Sequence, residues 1–308
     1  MAPYSSLYDV PSAHLEDVGC GLCGEMKSGI LFRIKGFPIR QCVRCGMRYV
    51  SPRLRPSSLL QMYSEPSYFQ SPNSLVHGYM DYAADRDNIL NTAEKRFRWI
   101  SSQWKSIKPG RLLDIGCAMG YSLEYAMDQE WEAWGLEPSR HAAQASSPRL
   151  AGRIANTNLE ACPYDRGSFD LILLWDVVEH LPDPARLLRQ VLDLVRPGGM
   201  LSLITPDAGS FLARFAGRWW MEYAKPMEHI YFFSRKTLRR LTREVGFIDI
   251  AETTAGKFVS REFLLERFLA HLPIPAALRN SGISKAFLSR CHYVDVADKM
   301  HVLLQRPG

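Results

Sequence analysis

Residues 111–123 read RLLDIGCAMGYSL, and this stretch decides the fold. An apolar strand, LLDIG, leads into a turn of small residues, and a helix follows from about Tyr121. Glycine-rich turns after strands hold several kinds of ligand, so this turn alone does not identify its ligand. The rest of the chain has to distinguish among them.

The chain beyond this turn alternates strands with helices. In order, the segments read YSLEYAMDQ, EAWGLEP, SRHAAQAS, SFDLILLWDV, DPARLLRQVLDLV and MLSLITP. A continuous apolar run such as SFDLILLWDV is typical of a strand in a sheet that is covered on both faces. We therefore predict an α/β fold with a parallel, doubly wound, Rossmann-like sheet. Ligands of such sheets lie beyond the carboxyl ends of the strands.

The turn does not match the patterns that hold a pyrophosphate or a nucleoside triphosphate. Gly116 and Gly120 are four residues apart, and Ala118 lies between them. Tyr121 stands where a dinucleotide-binding fingerprint has its third glycine. The sequence also has no G-x-x-x-x-G-K-S/T run, which excludes a P-loop.

Two acidic residues indicate a different ligand. Asp114, two residues before the first glycine, places a carboxylate where a cationic group can pair with it. Glu137, at the end of the second strand, can accept two hydrogen bonds from a ribose diol. A ligand with an ammonium group, a ribose and an adenine meets both demands, and S-adenosylmethionine is such a ligand.

Several motifs together resemble the class I S-adenosylmethionine-dependent methyltransferases. They are DIGCAMG, the acid in GLEPS, SFDLILLWDVVEHL, LVRPGG and ITPD. Their order and spacing match over residues 108–250. Ala118 departs from the glycine that the family usually has there, and alanine is small enough for the ligand to approach closely.

The resemblance implies where each part of the cofactor would lie. The methionine moiety would contact Asp114, Gly116 and Gly120, the ribose Glu137 and Pro138, the adenine Asn158 and Leu159, and the sulfonium Asp176 and Val177. Asn158 and Asp176 have an alternative role, since both residue types commonly organise turns.

Methyl transfer mainly requires alignment, and an oxygen nucleophile also benefits from a base. Two acid–histidine pairs are candidates, Glu179-His180 after the third strand and Glu228-His229 further on. We predict that His229 with Glu228 supplies the base, because substrate-facing segments of this fold follow the ITPD strand. His180 is the second candidate, and either histidine can instead be a packing residue.

Four of the seven cysteines form two C-x-x-C pairs, Cys20/Cys23 and Cys42/Cys45, with eighteen residues between the pairs. The intervening stretch can fold back as a hairpin and bring four sulfurs to tetrahedral zinc. Four protein ligands leave no open position, so the predicted metal is structural. The alternative is four buried or redox-active thiols. The segment also resembles the zinc-binding segment of bacterial methyltransferases that act on sugars or secondary metabolites.

The cysteine-containing region is basic, which leaves a second function open. Between Cys20 and Pro56 eight lysines and arginines face only Glu25, and the whole chain has a net charge of +6. This excess is either a solvated face or a surface for RNA. The first prediction is methyl transfer to oxygen, or to carbon, of a small molecule such as a sugar or a secondary-metabolite precursor. The alternatives are an RNA methyltransferase and a binding protein that retains the fold without catalysis.

The composition predicts three regions. Residues 1–56 form a zinc-ribbon-like module, 57–107 a linker and a helix from about Tyr79 to Trp104, and 108–308 the methyltransferase domain. Insertions at about 207–233 and 257–295 would cap the substrate.

The two insertions carry aromatic and amphipathic stretches. We expect Trp219, Trp220 and Tyr223 to form a lid or an aromatic wall, or ordinary core. The segment REFLLERFLAHLPIPAALRN would cap the site, form a homodimer contact or touch a lipid-linked substrate. No apolar run is long enough to span a bilayer and the amino terminus lacks a signal-peptide pattern, so a cytoplasmic enzyme is expected.

Overall fold

The computed structural model describes residues 4–70, 79, 81–105, 108–261, 263–264 and 290–308. Its strands are β1 (Leu15–Glu16), β2 (Ser28–Ile34), β3 (Phe37–Cys42), β4 (Arg48–Val50), β5 (Arg53–Leu54), β6 (Arg111–Ile115), β7 (Glu132–Leu136), β8 (Ile154–Ala155), β9 (Phe169–Trp175), β10 (Val195–Pro206), β11 (Tyr231–Phe232), β12 (Ile248–Thr254), β13 (Lys257–Ser260), β14 (Cys291–Val294) and β15 (Lys299–Gln305). Its α-helices are α1 (Pro56–Ser64), α2 (Arg86–Gln103), α3 (Tyr121–Asp128), α4 (Arg140–Gln144), α5 (Pro184–Leu194), α6 (Phe211–Ala216) and α7 (Arg235–Val245).

A seven-stranded sheet in the order β12-β15-β10-β9-β6-β7-β8 confirms the predicted fold class. Strands β10, β9, β6, β7 and β8 run parallel to one another. The sheet is completed by β15, which is antiparallel to both β10 and β12. Pro206 pairs with Lys299, so β15 begins at the edge of the sheet where β10 ends. This reversal brings Lys299 to the edge where ligands of parallel sheets bind.

Both faces of the sheet are covered, as the apolar run of β9 predicts. Ile172 and Leu174 pack into the core that contains the apolar side chains of α5 and α7. Leu171 and Leu173 point to the other face and pack with α2 and α3. Successive side chains of β9 therefore pack alternately against two layers of helices, one on each face of the sheet.

The cysteine-containing region folds as the predicted hairpin and joins a four-stranded sheet in the order β11-β4-β3-β2. Tyr49 of β4 pairs with Tyr231 of β11, which belongs to the segment that follows β10. The two regions also share one hydrophobic core. Trp220 and Tyr223 are fully buried there, so the core alternative holds for both of them, whereas Trp219 is exposed.

The region between the cysteines and β6 differs from its predicted helix and linker. Helix α2 begins at Arg86 and not near Tyr79, and the rings of Tyr79 and Tyr82 pack against Phe69. The stretch read as a linker contains α1, which begins at Pro56, a residue suited to the first position of a helix.

The predicted amphipathic tail segment spans residues 261–280, and all of it except residues 261, 263 and 264 lies outside the described residues. Among the described residues, no helix is both long enough and apolar enough to cross a bilayer.

Candidate active site

The turn after β6 has the backbone conformation that its small residues suggest. Gly116 and Gly120 have φ values of 78° and 79°. A Cβ atom at Gly116 would lie 2.8 Å from a methyl group of Val177, and one at Gly120 would lie 2.4 Å from Leu150. Both glycines are therefore required by conformation and by space. Ala118 also has a positive φ of 50°, which is costly for a residue with a side chain.

Asp114 and Glu137 are buried at this turn, each with 5% of its surface exposed. The two oxygens of Glu137 accept hydrogen bonds from the backbone N–H groups of Ala118 (2.8 Å) and Ser139 (2.7 Å). Burial and then repulsion from Glu137 raise the pKa of Asp114 to about 7, while Arg96 opposes the shift. Burial raises the pKa of Glu137 to about 7, although the two N–H groups act to lower it. Both carboxylates would be stabilised by a cationic ligand.

Asn158 organises the turn after β8, which is its alternative role. The side-chain oxygen of Asn158 accepts a hydrogen bond from the N–H of Ala161 (3.2 Å), and Leu159 is buried beside it. Asn156 was missed by the sequence analysis. Its amide donates to the carbonyl oxygens of Glu137 (2.9 Å) and Pro138 (3.1 Å), and so fixes the loop after β7. An asparagine two residues before a predicted ligand is a weak signal, since turn asparagines are common.

Asp176, at the end of β9, is ion-paired. Its carboxylate lies 2.6 Å from the Nζ of Lys299 and 3.7 Å from a guanidinium nitrogen of Arg96. Burial would raise the pKa of Asp176, but Lys299 and Arg96 outweigh it and hold the pKa well below its usual range. Neither cation was predicted from the sequence. Lys299 could be found only from the antiparallel insertion of β15, and Arg96 only from the packing of α2.

His180 and His229, separated by 48 residues in the sequence, are neighbours in the fold. Their ring centroids are 4.7 Å apart at an interplanar angle of 80°. The Nδ1 of His180 lies 3.0 Å from the carbonyl oxygen of Glu228 and 3.0 Å from the hydroxyl of Tyr63. Since a carbonyl can only accept, we assign the proton to Nδ1, which leaves Nε2 as an acceptor. Burial and repulsion from His229 hold the pKa of His180 well below its usual value.

The acid beside His229 is not its sequence neighbour. The Nδ1 of His229 lies 3.3 Å from a carboxylate oxygen of Glu222, a residue that the sequence analysis missed. The side chain of Glu228 instead accepts a hydrogen bond from the hydroxyl of Tyr68 (3.1 Å). Burial, with repulsion from Lys299 and Lys225, lowers the pKa of His229 to about 3. Both imidazoles are therefore neutral at physiological pH.

Glu179 completes the group of ionisable side chains around the two histidines. One oxygen of Glu179 accepts from the hydroxyl of Thr205 (2.9 Å), and the other has no hydrogen-bond partner in the described part of the chain. Burial and repulsion from Asp176 raise the pKa of Glu179 to about 8. Glu179, His180 and His229 offer ligand atoms within 4.8 Å of one another, which a divalent cation could use. The positive charges that lower the pKa of His229 oppose a cation at this position.

Aromatic rings connect the histidine pair to the glycine turn. Successive rings are in contact, with centroids 4.8–5.9 Å apart. In order from the histidine, they belong to His180, Tyr63, Tyr68, Tyr79, Tyr82 and Tyr121. Aromatic walls with a few convergent polar groups are typical of small-molecule sites.

The four paired cysteines meet as predicted from their spacing. The sulfur of Cys20 lies 3.4 Å from that of Cys45, and the sulfur of Cys23 lies 3.5 Å from that of Cys42. All four lie within 4.8 Å of one another, and none forms a disulfide. Burial raises the pKa of Cys20 and raises that of Cys45 to about 11, whereas the backbone N–H groups of Cys45 and Arg44 outweigh burial at Cys42 and lower its pKa to about 7. Thiolates in this arrangement can hold one metal ion.

Comparison with known sequences identifies the family of the chain. A family profile described as a methyltransferase domain matches residues 86–252, more than half of the chain. Over 283 residues the chain is 25% identical to the chloroplastic 2-methyl-6-phytyl-1,4-hydroquinone methyltransferase 1 of Oryza sativa subsp. japonica, covering 86% of this chain and 79% of the relative. Over 212 residues it is 26% identical to the ubiquinone biosynthesis O-methyltransferase of Leptothrix cholodnii, covering 63% and 88%.

Solved structures resemble the chain in fold. The phosphoethanolamine N-methyltransferase 2 of Haemonchus contortus, solved with S-adenosylhomocysteine, superposes with a TM-score of 0.51 at 13% identity, over 85% of this chain and 62% of that chain. An S-adenosylmethionine-dependent methyltransferase of Leishmania major gives 0.50 at 15% identity, over 80% and 82%. The chain belongs to the methyltransferase-domain family, and it is an S-adenosylmethionine-dependent methyltransferase of class I.

Proposed function

We propose that the enzyme transfers the methyl group of S-adenosylmethionine to a hydroxyl oxygen of a small molecule. The observation that carries this proposal is the contact between two neutral, partly buried imidazoles, His180 and His229, in the group of side chains that follows β9 and β10. An imidazole must be neutral to accept a proton from a hydroxyl group. The name of one relative, an O-methyltransferase, supports the same type of acceptor.

We place the cofactor along the turns after β6, β7 and β8. Asp114 would pair with its ammonium group, and Glu137 would accept hydrogen bonds from its ribose. The raised pKa values of these two buried acids support this placement, because a cation would lower them again. The other proposed contacts are Gly116, Gly120, Pro138, Asn158, Leu159, Asp176 and Val177.

The bound cofactor supplies a methyl group that is already activated on a sulfonium. The protein then has to orient the acceptor and take its proton. We assign the proton transfer to Nε2 of His229, with Glu222 stabilising the imidazolium as it forms, and we assign His180 to hold the acceptor hydroxyl. Glu228 would position Tyr68 at the acceptor. Alignment contributes about 7–11 kcal/mol in favourable cases, and a base a further ~10²–10⁴-fold in rate.

The row of tyrosine rings beside the histidines favours an acceptor with an aromatic or apolar body. Phenols and quinols of the secondary-metabolite kind stack on tyrosine rings more favourably than a highly hydrated sugar does. The RNA alternative has less support, because several basic side chains of the cysteine region are bound within the protein. Lys35, Arg40, Arg48 and Arg53 all donate hydrogen bonds to internal partners.

We also propose that the four cysteines bind a structural zinc ion. The sulfur separations of 3.4 and 3.5 Å support this proposal, since sulfurs around a tetrahedral zinc lie nearly as close. Because β4 of this region pairs with β11, the metal would stabilise the segment that carries Glu222 and His229.

The test is a single-turnover assay with methyl-labelled S-adenosylmethionine and a panel of catechols, quinols and sugar nucleotides. We expect label in a phenolic ether, and a rate for His229→Ala that is lower by about 10²–10⁴-fold with unchanged cofactor affinity. The exposed His292 provides a matched control, since His292→Ala should keep the wild-type rate.

Three results would contradict the proposal. Methyl label found only in sugars would exclude phenols and quinols as the acceptor class. An unchanged rate for His229→Ala would exclude His229 as the base. Activity that is lost in a chelator and restored by magnesium would assign the ionisation of the acceptor to a cation held by Glu179, His180 and His229.

A further inference from the structure

Three large aromatic side chains lie exposed on one short segment after β10. Phe211 is 84% exposed, Phe215 83% and Trp219 72%. The rings of Phe211 and Phe215 stack, with centroids 6.1 Å apart and an interplanar angle of 10°. Together the three side chains expose roughly 500 Å² of mostly apolar surface. Single exposed apolar residues are ordinary, whereas apolar patches of several hundred Å² are often functional surfaces.

Buried side chains and hydrogen bonds fix the position of this segment. Ser210 caps α6 by accepting a hydrogen bond from the N–H of Ala213 (3.1 Å), and Ala213 is buried. Trp220 is 1% exposed, and its indole N–H donates to a carboxylate oxygen of Asp298 (2.9 Å). Trp219 and Trp220 therefore point in opposite directions, and the exposure of Trp219 follows from the burial of its neighbour.

The charges of the segment have one sign. Between Ala208 and Met221 the only ionisable side chains are Arg214 and Arg218, and both are exposed. The guanidinium of Arg218 lies 5.2 Å from the ring centroid of Trp219. Phenylalanine and tryptophan interleaved with arginine, and without acidic residues, are typical of segments that lie in the interface of an anionic lipid bilayer.

We propose that residues 211–219 dock the enzyme on the surface of an anionic lipid bilayer. A protein partner would more commonly pair its own acids and bases with such a surface, whereas lipid headgroups supply negative charge alone, which is what Arg214 and Arg218 fit. Glu222 follows Trp219 by three residues and lies beside His229. Docking would therefore hold Glu222 close to the layer in which a lipophilic acceptor dissolves, and the docking itself does not depend on the proposed reaction.

The test is flotation of the whole protein with phosphatidylcholine vesicles, with and without phosphatidylglycerol. We expect at least about tenfold stronger binding to the anionic vesicles, weakened by salt. The variant F211S/F215S/W219S should lose about tenfold or more of this binding, and R214Q/R218Q should lose the preference for anionic lipid. A matched control replaces three exposed apolar residues elsewhere, as Y8S/V43S/V296S, and should bind as the wild type does.

Cofactor binding by calorimetry verifies that each variant is folded. Equal binding of the aromatic variant and the wild type to anionic vesicles would overturn the proposal, and so would an absence of wild-type binding. A wild-type dimer in sedimentation equilibrium that becomes monomeric in F211S/F215S/W219S, without vesicle binding, would assign the surface to a second copy of the chain.

Discussion

The Nδ1 of His229 lies 3.3 Å from a carboxylate oxygen of Glu222, whereas the carboxylate of its sequence neighbour Glu228 binds the hydroxyl of Tyr68. Both members of the Glu222–His229 pair are largely shielded from solvent, with 17% and 12% of their side chains exposed. The contact lacks hydrogen-bond geometry, because Nδ1 of His229 has no hydrogen-bond partner among the described residues. The negative charge of Glu222 would still stabilise the imidazolium that forms when Nε2 accepts a proton, as in acid–histidine pairs of other enzymes.

This pair predicts that Glu222→Gln slows the chemical step by about tenfold to a thousandfold. The amide keeps the shape of the side chain but removes the negative charge that stabilises the imidazolium. Cofactor affinity should not change, because the effect is confined to proton transfer. Single-turnover kinetics and calorimetry measure the two quantities separately. Glu244→Gln, at an exposed ion pair on α7, is the matched control, and equal rates for both variants would exclude Glu222 from the reaction.

The second prediction concerns the pH dependence of cofactor binding. Asp114 and Glu137 both have pKa values raised to about 7, so both are largely protonated in the free protein below that pH. A ligand with an ammonium group binds the ionised form of Asp114. Affinity for S-adenosylhomocysteine should therefore rise as the pH increases from about 6 to about 7.5 and then level off. In the free protein the same groups should reduce stability as the pH rises from about 4.5 to about 7.

Calorimetry in two buffers of different ionisation enthalpy will detect the proton released on binding near pH 6.5. Methylthioadenosine, which has the ribose but no ammonium group, should show the smaller pH dependence that Glu137 alone contributes. Asp114→Asn should reduce the dependence for S-adenosylhomocysteine to the same level. An affinity that is flat between pH 6 and pH 7.5 would show that neither acid contacts the ligand.

The sequence best predicts those elements whose structure depends on residues that are close together in the chain. The apolar runs of β6, β7, β9 and β10 and the turn at Gly116 and Gly120 are local patterns, and the structure contains each of these elements. The hairpin between the cysteine pairs is equally local. Local patterns do not determine which strand lies beside which, so the antiparallel position of β15 and the pairing of β4 with β11 were not predictable.

The same limit applies to the ionisable groups of the candidate site. Glu228 was chosen as the partner of His229 because it precedes it in the sequence, but adjacent side chains commonly point in opposite directions. Glu222 approaches His229 only through the turns that follow α6. Lys299 in β15 pairs with Asp176, which follows β9, although these two strands are distant in sequence. Contacts of this kind depend on tertiary packing and leave no local pattern.

The third prediction is that one zinc ion per chain is bound by the four cysteines. Cys23→Ser should abolish zinc binding measured by mass spectrometry of metals and should lower the melting temperature, because metal binding contributes directly to folding. The core of the cysteine region contacts Tyr223 and Phe232, so cofactor-dependent activity should fall as well. Cys291→Ser, at an exposed cysteine, should change none of these three quantities. Full zinc content in Cys23→Ser would exclude the site.

The fourth prediction separates conformation from contact in the turn after β6. Ala118 has a φ of 50°, a conformation that costs a residue with a side chain about 1–2 kcal/mol. Glycine removes this cost but loses more entropy on folding, so Ala118→Gly should stabilise the protein by about 0.5 kcal/mol. Gly120→Ala should destabilise it by about 1–3 kcal/mol, since it adds strain at a φ of 79° and a contact at 2.4 Å with Leu150.

Urea unfolding at a constant m value measures both changes. Because the N–H of residue 118 still donates to Glu137 in Ala118→Gly, cofactor affinity should be retained in that variant. A loss of stability in Ala118→Gly would show that the alanine methyl group, which packs in a small cluster with Met119 and Tyr121, contributes more than the backbone strain costs. The family's usual glycine would then be absent here because packing favours alanine.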